Sequence, residues 1–278
     1  MTFFPNVKIN LGLRIISGRD DGYHNIESIF YPVALTDALE FVTDESGSDS
    51  DSFTQTGHQT GCPMSDNLAV RALNLLRRRY NIPPLIIHLH KKIPVGAGLG
   101  GGSSDAAFML RYLNRYFRLG LCNNDLTSLA LELGSDCTFF IMNRPALATG
   151  RGEILEPLDP LQEKLHILIV NPGININTGQ AYSRSTPAVP VESLQDLYAL
   201  PVEQWRGRIV NDFESIVTGM HPEIGVIRDN LYSLGALYAS MSGSGSSFYG
   251  IFRDFPPPYK FNPSWFSWRG IMGIERRG

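Results

Sequence analysis

The chain has 278 residues, of which 43% are hydrophobic and 18% are charged, and its formal net charge is −3. This balance is typical of a folded globular protein and excludes disordered and fibrous chains. The one basic run, at 77–79, ends a predicted helix, where cations interact favourably with the negative helix end, so we expect no nucleic-acid partner.

The cysteines and the apolar stretches indicate the cellular compartment in which the protein is expected. Cys62, Cys122 and Cys137 are far apart and form no CxxC pair, which predicts neither a disulfide framework nor a zinc site. No charged leader precedes an apolar stretch, and no apolar run is long enough to span a bilayer. We therefore expect a cytoplasmic protein that has no membrane partner.

In chain order, the pattern of apolar residues first predicts two strands, a helix and a third strand, at 11–16, 28–41, 68–80 and 85–89. The Ser/Gly/acid segment at 44–61 indicates a solvated loop or a long hairpin. Ser65-Asp66 is the expected N-cap of the helix.

Farther along the chain, the pattern predicts two helices, a strand, two more helices and a last strand, at 106–117, 126–133, 165–170, 205–220, 222–234 and 248–252. The segment around Gly150-Arg151-Gly152 indicates an extended linker, and we expect two domains, 1–155 and 156–278. The tail at 255–272 is rich in proline and aromatic residues and is expected to pack against the fold or to form the edge of a lid.

A glycine-rich stretch, PVGAGLGGGSSD at 94–105, separates the third strand from the next helix. Successive glycines let backbone N–H groups turn inward, and the helix start adds its positive end, so that together they form an anion site. We expect Ser103, Ser104 or Asp105 to cap the helix. Because one or two glycines suffice for a simple turn, the loop predicts binding of a phosphate chain.

Three common motifs fit this loop poorly. Gly96-x-Gly98-x-x-Gly101 formally matches the dinucleotide-binding fingerprint, but no acidic residue ends a second strand about twenty residues later. A P-loop requires Gly-Lys-Ser/Thr after the glycines, and a hydrolase elbow requires GxSxG, and the chain contains neither. These observations weaken the dinucleotide-binding interpretation and exclude the other two.

Three motifs resemble those of the kinase superfamily named for galactokinase, homoserine kinase, mevalonate kinase and phosphomevalonate kinase. They are the glycine loop, PNVKINLGL at 5–13 and MSGSGSS at 241–247. Within this superfamily the chain most resembles the 4-diphosphocytidyl-2-C-methyl-D-erythritol kinase family, through DGYH at 21–24, LGSD at 133–136 and GRGE at 150–153. Two departures affect local packing: Asn6-Val7 replaces the usual Pro-Ala, and Cys137-Thr138 replaces the usual Val-Pro.

This resemblance implies an α+β, two-domain small-molecule kinase fold, with ATP and substrate in the cleft between the domains. It also implies that the chain uses ATP and Mg²⁺ to phosphorylate the 2-hydroxyl of the family's substrate in isoprenoid precursor synthesis. Asp136 would accept the hydroxyl proton, with Lys8 beside it. The implied ATP-binding residues are those of the loop: Pro94, Val95, Gly96, Ala97, Gly98, Leu99, Gly100, Gly101, Gly102, Ser103 and Ser104.

The same resemblance implies how the substrate binds. Tyr23 and His24 would stack on the cytosine and read its edge, and Tyr182 would be the second stacking aromatic. Asn10 and Thr178 complete the implied substrate-binding set. The expected partner is therefore a small molecule that carries a cytidine diphosphate group, and we expect a monomer or a weak homodimer.

Without the resemblance, these residues have simpler interpretations. Asp136 could cap a helix, Lys8 could face outward from a strand, and Tyr182 could be an ordinary buried tyrosine. His88-x-His90 could bind a metal, but no third ligand is near, and the face of a strand is the better interpretation. We therefore predict no metal-binding side chains.

Two other functions stay open at the level of sequence. A sister kinase could act on another small alcohol, although such a substrate offers no base for Tyr23 and His24. A catalytically inactive, nucleotide-binding regulator could share the fold, but the presence of both Lys8 and Asp136 argues against it.

Overall fold

The computed structural model describes residues 1–258 and 261–274, and this part of the chain forms a mixed α and β structure. The strands are β1 (Thr2–Phe3), β2 (Asn6–Gly18), β3 (His24–Thr36), β4 (Ala38–Thr43), β5 (Ser52–Gly57), β6 (Leu85–Lys91), β7 (Ala146–Thr149), β8 (Ile154–Pro157), β9 (His166–Asn171), β10 (Tyr238–Met241), β11 (Phe248–Phe252) and β12 (Phe266–Ile271). The helices are α1 (Leu68–Arg77), α2 (Gly101–Tyr116), α3 (Asn123–Leu133), α4 (Ser135–Met142), α5 (Thr178–Ser183), α6 (Leu194–Tyr198), α7 (Asp212–Met220) and α8 (Pro222–Ser233).

The first of two compact units comprises residues 1–7, 35–95 and 100–143. Its sheet has the strand order β1-β4-β6-β5, in which only β5 and β6 are parallel among the described strand pairs. Side chains alternate between the two faces of a strand, and β6 accordingly buries every second residue, from Leu85 to Lys91. The helices α1, α2 and α4 pack together in this unit.

The second unit comprises residues 8–34, 96–99 and the described residues from 144 onwards. It contains two sheets, with the strand orders β2-β3-β7-β8 and β10-β11-β9-β12. The strand β9 lies between β11 and β12, which explains why all its residues after His166 are buried. Phe213 and Val217 of α7 and Ile227 of α8 contribute to the apolar core of this unit. The division of the chain at residue 155 stays a prediction.

Several sequence predictions about the first half of the chain need correction. The segment at 44–61 is neither a simple loop nor a hairpin, because its residues Ser52–Gly57 form β5 and pair with β6. The predicted strand at 28–41 is interrupted at Asp37, which separates β3 from β4. The N-cap of α1 is Asn67, whose side chain accepts a hydrogen bond from the Ala69 amide at 3.0 Å, and not Ser65-Asp66.

The start of α2 also differs from the prediction. Gly100 precedes the helix in a left-handed conformation (φ +70°), and no side chain makes a capping hydrogen bond. Ser103, Ser104 and Asp105 therefore lie inside the first turns of the helix instead of capping it.

In the second half, the predicted linker at 150–152 is the turn between the antiparallel strands β7 and β8. The predicted helix at 205–220 begins only at Asp212. Part of the tail forms β12 and packs as an edge strand against β9, whereas Tyr259 and Lys260 lie outside the described residues. No helix in the described part of the chain has both the length and the apolar character needed to cross a membrane.

Candidate active site

The strand β2 places Lys8 and Asn10 on the same face, because residues two apart on a strand point the same way. The Lys8 ammonium is buried and donates a hydrogen bond to Asn10 Oδ1 at 2.7 Å. It also lies 4.3 Å from the centre of the Phe30 ring, where the π face attracts a cation. Lys8 is thus not the outward-facing strand residue that the sequence alone left open.

Asn10 is itself held by its neighbours. Its side-chain amide donates to Ser28 Oγ at 2.8 Å, and Ser28 Oγ donates to the Gly12 carbonyl at 2.6 Å. The Tyr249 hydroxyl donates to the Asn10 carbonyl at 2.7 Å. This chain of buried hydrogen bonds fixes the amide that holds the Lys8 ammonium.

Ser242 joins the three sequence motifs inside the second unit. Its hydroxyl accepts a hydrogen bond from the backbone N–H of Asn10 at 3.2 Å and donates one to the Gly98 carbonyl at 2.8 Å. The Lys8 amide in turn donates to the Leu99 carbonyl at 3.0 Å. The strand with Lys8, the first half of the glycine loop and the serine turn are therefore connected by direct hydrogen bonds.

The glycines of the loop are required by the backbone. Gly96, Gly98 and Gly100 have φ values of +66°, +74° and +70°, a region that side chains disfavour. A Cβ atom on Gly98 would lie 2.2 Å from the Ser242 carbonyl oxygen. Between Gly96 and Gly100 the side chains of Ala97 and Leu99 are buried, so the exposed surface of this part of the loop is backbone.

The start of α2 has the features that a phosphate group needs. The N–H groups of the first helical turn have no partner within the helix, and the helix dipole favours negative charge there. Ser104 Oγ is fully buried and has no hydrogen-bond partner among the described residues. Both observations fit the predicted binding of nucleotide phosphates at this end of the helix.

Asp136 lies in the first turn of α4, and Gly134 precedes that helix without a side-chain capping bond. Asp136 is therefore not the N-cap of this helix, a possibility that the sequence alone left open. Asp136 belongs to the first unit and Lys8 to the second, and their pairing stays a prediction.

The two departures from the family pattern are accommodated by new contacts. The side-chain amides of Asn6 and Asn143 exchange hydrogen bonds at 3.2 and 2.7 Å, and Asn143 ends α4 in a left-handed conformation. Burial raises the pKa of the Cys137 thiol to about 12, although a hydrogen bond with Ser103 lowers it. Thr138 Oγ1 donates to the Ser135 carbonyl at 2.7 Å.

The aromatic residues expected to bind the base all lie in the second unit. Tyr23 is 56% exposed, and its amide donates to Asp21 Oδ1 at 3.1 Å. The Arg19 guanidinium binds both oxygens of Asp21, and this hydrogen bonding lowers the pKa of the Asp21 carboxyl. The Arg151 guanidinium lies 4.9 Å from the centre of the Tyr23 ring.

His24 and Tyr182 are brought together by the fold. Their rings are stacked, with centroids 4.7 Å apart and planes at 16°. Thr178 begins α5, four residues before Tyr182, and its hydroxyl lies 2.8 Å from Ser244 Oγ. Tyr182 is half-buried and thus differs from an ordinary core tyrosine.

His88 and His90 occupy one face of β6, as the sequence indicates. Both rings lie within hydrogen-bond distance of Thr56 Oγ1, at 3.0 and 2.9 Å. In the part of the chain that the structure describes, they do not belong to a group of three metal-binding side chains.

Three residues in these surroundings have no definite role that the sequence alone predicts. Ser242 lay inside a recognised motif, and its bridging position depends on contacts that are distant in sequence. Arg151 lay in the GRGE motif, but its contact with Tyr23 follows from the turn between β7 and β8. For Lys91 the sequence does carry a signal, because the alternation of apolar and polar residues along β6 places the Lys91 side chain on the buried face.

Comparison with known proteins identifies the family. A model described as "GHMP kinases N terminal domain" matches residues 67–144, and one described as "GHMP kinases C terminal" matches residues 197–261. The chain is 52% identical to a 4-diphosphocytidyl-2-C-methyl-D-erythritol kinase of Parabacteroides distasonis, over 91% of this chain and 92% of that protein. The chain belongs to the 4-diphosphocytidyl-2-C-methyl-D-erythritol kinase family. A relative of the same name from Porphyromonas gingivalis is 47% identical, over 92% and 93% of the two chains.

Solved structures agree with this membership. The crystal structure of a 4-(cytidine 5'-diphospho)-2C-methyl-D-erythritol kinase superposes with a TM-score of 0.77 at 31% identity, over 99% of this chain and all of that one. A homoserine kinase from Cytophaga hutchinsonii has a TM-score of 0.63 at 16% identity, over 98% and 94% of the two chains, which shows the fold alone. The predicted α+β kinase fold is confirmed, and the protein is an ATP-dependent kinase.

Proposed function

We propose that the protein transfers the γ-phosphoryl group of ATP to the 2-hydroxyl of 4-diphosphocytidyl-2-C-methyl-D-erythritol, a step of non-mevalonate isoprenoid synthesis. The observation that carries this proposal is the hydrogen-bonded junction at Ser242, which joins Asn10 and the glycine loop beside Lys8. Family membership supplies the substrate, because the relatives of highest identity described above carry its name.

The glycine loop would bind the nucleotide. Its backbone N–H groups and the start of α2 would hold the phosphates, and the buried Ser104 hydroxyl, which has no hydrogen-bond partner among the described residues, lies in the first turn of this helix. The residues proposed for ATP run from Pro94 to Ser104, and the buried side chains among them would act through their backbone. Mg²⁺, when bound with ATP, would neutralise part of the negative charge of the phosphates.

Phosphoryl transfer requires positioning and charge stabilisation more than covalent help from the protein. In the proposed reaction, the 2-hydroxyl oxygen attacks the γ-phosphorus as the bond from this phosphorus to the β-γ bridging oxygen breaks. The hydroxyl proton passes to the Asp136 carboxylate, and ADP leaves. The Lys8 ammonium, oriented by Asn10 and Phe30, stabilises the negative charge that develops.

The cytidine group would be recognised in the second unit. Tyr23 offers an exposed ring on a turn that Arg19 and Asp21 hold in place, and His24 and Tyr182 offer a second aromatic surface. Base stacking on such rings contributes about 1 to 3 kcal/mol per base. Asn10 and Thr178 complete the proposed substrate-binding set.

We further propose that the protein works in the cytoplasm as a monomer or a weak homodimer. Its three cysteines are all free thiols, which agrees with a reducing compartment. Sedimentation analysis over a range of concentrations tests the oligomeric state.

A panel of acceptors tests the proposed reaction. The purified protein is incubated with ATP, Mg²⁺ and one acceptor at a time: the proposed substrate, its uridine analogue, homoserine, mevalonate or galactose. Release of ADP is followed, and the product is identified by ³¹P NMR. We expect rapid turnover with the cytidine substrate alone. Turnover of a base-free alcohol would indicate a sister kinase, and ATP binding without turnover of any acceptor would indicate a regulator.

A further inference from the structure

Three ionisable side chains form a buried cluster in the first unit. The Lys91 ammonium forms ion pairs with Asp37 and, at 2.9 Å, with Asp105 Oδ2. The exposed fractions of Lys91, Asp37 and Asp105 are 3%, 1% and 3%. No part of the proposed transfer step uses this cluster.

The cluster lies directly beneath the start of α2. A Cβ atom on Gly101, the first residue of the helix, would lie 3.3 Å from Lys91 Nζ. Asp37 Oδ1 accepts hydrogen bonds from the amides of Lys92 and Ile93, at 2.7 and 2.8 Å. The cluster therefore connects the residues just before the glycine loop with the first turns of α2.

The charges of the cluster do not balance when both carboxylates are ionised. One ammonium and two carboxylates leave a net charge of −1 in a buried place, which is unfavourable. Asp105 Oδ1 is buried and has no hydrogen-bond partner among the described residues, so it is the atom on which a neutralising proton would be held. Burial raises the pKa of Asp105 to about 7. The nearby Lys91 ammonium lowers this pKa, whereas the negative charge of Asp37 raises it further.

The charged groups around Asp105 come from several elements. Lys91 lies at the end of β6, and its pKa is raised because the attraction of Asp105 and Asp37 outweighs the effect of burial. Asp37 lies between β3 and β4, and its charge favours the protonated form of Asp105. The helices α1 and α4 also pack against α2, and their charged residues Arg71 and Asp136 act on the Cys137 thiol of α4.

We propose that Asp105 is a positioning residue that takes up a proton when nucleotide phosphates bind at the start of α2. This inference rests on the proposed function, since it assumes that the glycine loop binds ATP. The cluster is neutral when Asp105 is protonated and has a net charge of −1 when Asp105 is ionised. Bound phosphates bring further negative charge close to it. The bound nucleotide therefore favours the protonated form, and nucleotide affinity falls as the pH rises through the range in which Asp105 loses its proton.

Calorimetry with Mg²⁺ and ADP tests this linkage on the whole protein. Measuring the binding heat in buffers of different ionisation enthalpy gives the number of protons taken up at each pH. The comparison uses Asp105→Asn, a neutral isostere that keeps the contact with Lys91, and protons bound by ADP itself cancel between the two proteins. We expect extra proton uptake near pH 7 in the wild type, and an affinity that falls about three- to tenfold more from pH 6.5 to 8.5 than in the variant.

Asp51→Asn is the matched control. Asp51 is a largely buried carboxylate that also pairs with a cation, Arg77, and it accepts a hydrogen bond from the Leu85 amide at the other end of β6. This control should keep the wild-type proton uptake. The same proton uptake in Asp105→Asn as in the wild type would overturn the inference alone, whereas no ADP binding in any of the proteins would overturn the proposed function as well.

A second measurement does not depend on the variant. In wild-type protein labelled with ¹³C at the aspartate carboxyl carbons, one buried carboxyl should titrate near neutral pH, and its midpoint should rise when Mg²⁺ and ADP are added. A midpoint that ADP leaves unchanged, or the absence of a carboxyl that titrates in this range, would overturn the inference.

Discussion

The imidazole ring of His24 lies parallel to the phenol ring of Tyr182, with the two ring centroids 4.7 Å apart. Tyr182 also contacts Phe213, a core residue of the second unit, with the rings 4.8 Å apart and nearly perpendicular. His24 therefore covers one face of Tyr182. In the proposed binding mode, a cytosine stacked between Tyr23 and that face would displace His24 toward the edge of the base.

The first prediction concerns the stacking rings. Replacing Tyr23 or Tyr182 by alanine should weaken substrate binding about five- to a hundredfold, because each stack contributes about 1 to 3 kcal/mol. The affinity for ATP should change little. Calorimetry with each ligand measures both effects, and Tyr80→Ala, beyond the end of α1, serves as the control. Equal losses of affinity for the two ligands would contradict a role in base stacking.

The second prediction concerns discrimination between bases. His24→Ala removes hydrogen bonding to the edge of the base, so the preference for the cytidine substrate over its uridine analogue should shrink. The measurement is the ratio of kcat/KM for the two substrates in the wild type and in the variant. A wild-type enzyme without preference for cytidine would show that the substrate assignment is wrong.

The β6 region shows which parts of the site the sequence could predict. The alternation of Leu85, Ile87 and Leu89 along this strand already places Lys91 on the buried side, and Lys92 on the other. By contrast, the parallel pairing of Ser52–Gly57 with this strand could not be predicted, because a polar segment carries no signal for a partner distant in sequence.

Asp105 illustrates a second limit. An acid after two serines at a helix start is typical of a capping residue, and the sequence therefore predicts a cap there. The helix begins earlier because Gly100 can adopt a positive φ, and this moves Asp105 into the interior next to Lys91. The motifs predicted the family and the chemistry, whereas the buried partners of these residues needed the tertiary structure.

The third prediction concerns the proposed transfer step. Asp136→Asn should lower turnover by about two orders of magnitude or more and leave folding and ATP binding near normal, as expected for loss of a general base. Lys8→Met should have a comparable effect, and the double variant should lose little more activity than either single variant, because residues that act as a unit are not additive. Single-turnover kinetics measures these rates, with the exposed Asp229→Asn as the control. Additive losses would indicate that the two residues act independently.

The last prediction separates two glycines of the same loop. Alanine at Gly98 would place its Cβ 2.2 Å from the Ser242 carbonyl oxygen, at a φ of +74° that alone costs about 1 to 2 kcal/mol. Gly98→Ala should therefore lower both the free energy of unfolding and the affinity for ADP. A Cβ on Gly102 would meet only Leu68 Cδ1, at 3.5 Å, and alanine inside a helix is favoured over glycine by about 0.5 to 1 kcal/mol.

Gly102→Ala should accordingly keep or slightly increase the stability of the fold, yet weaken ADP binding, because its methyl group would cover backbone that the phosphates approach. Denaturant unfolding with and without ADP measures both quantities in each variant. If Gly98→Ala is as stable as the wild type, the loop does not depend on its contact with Ser242. If Gly102→Ala binds ADP with unchanged affinity, the phosphates do not approach the backbone at this residue, and the nucleotide must lie nearer to the first half of the loop.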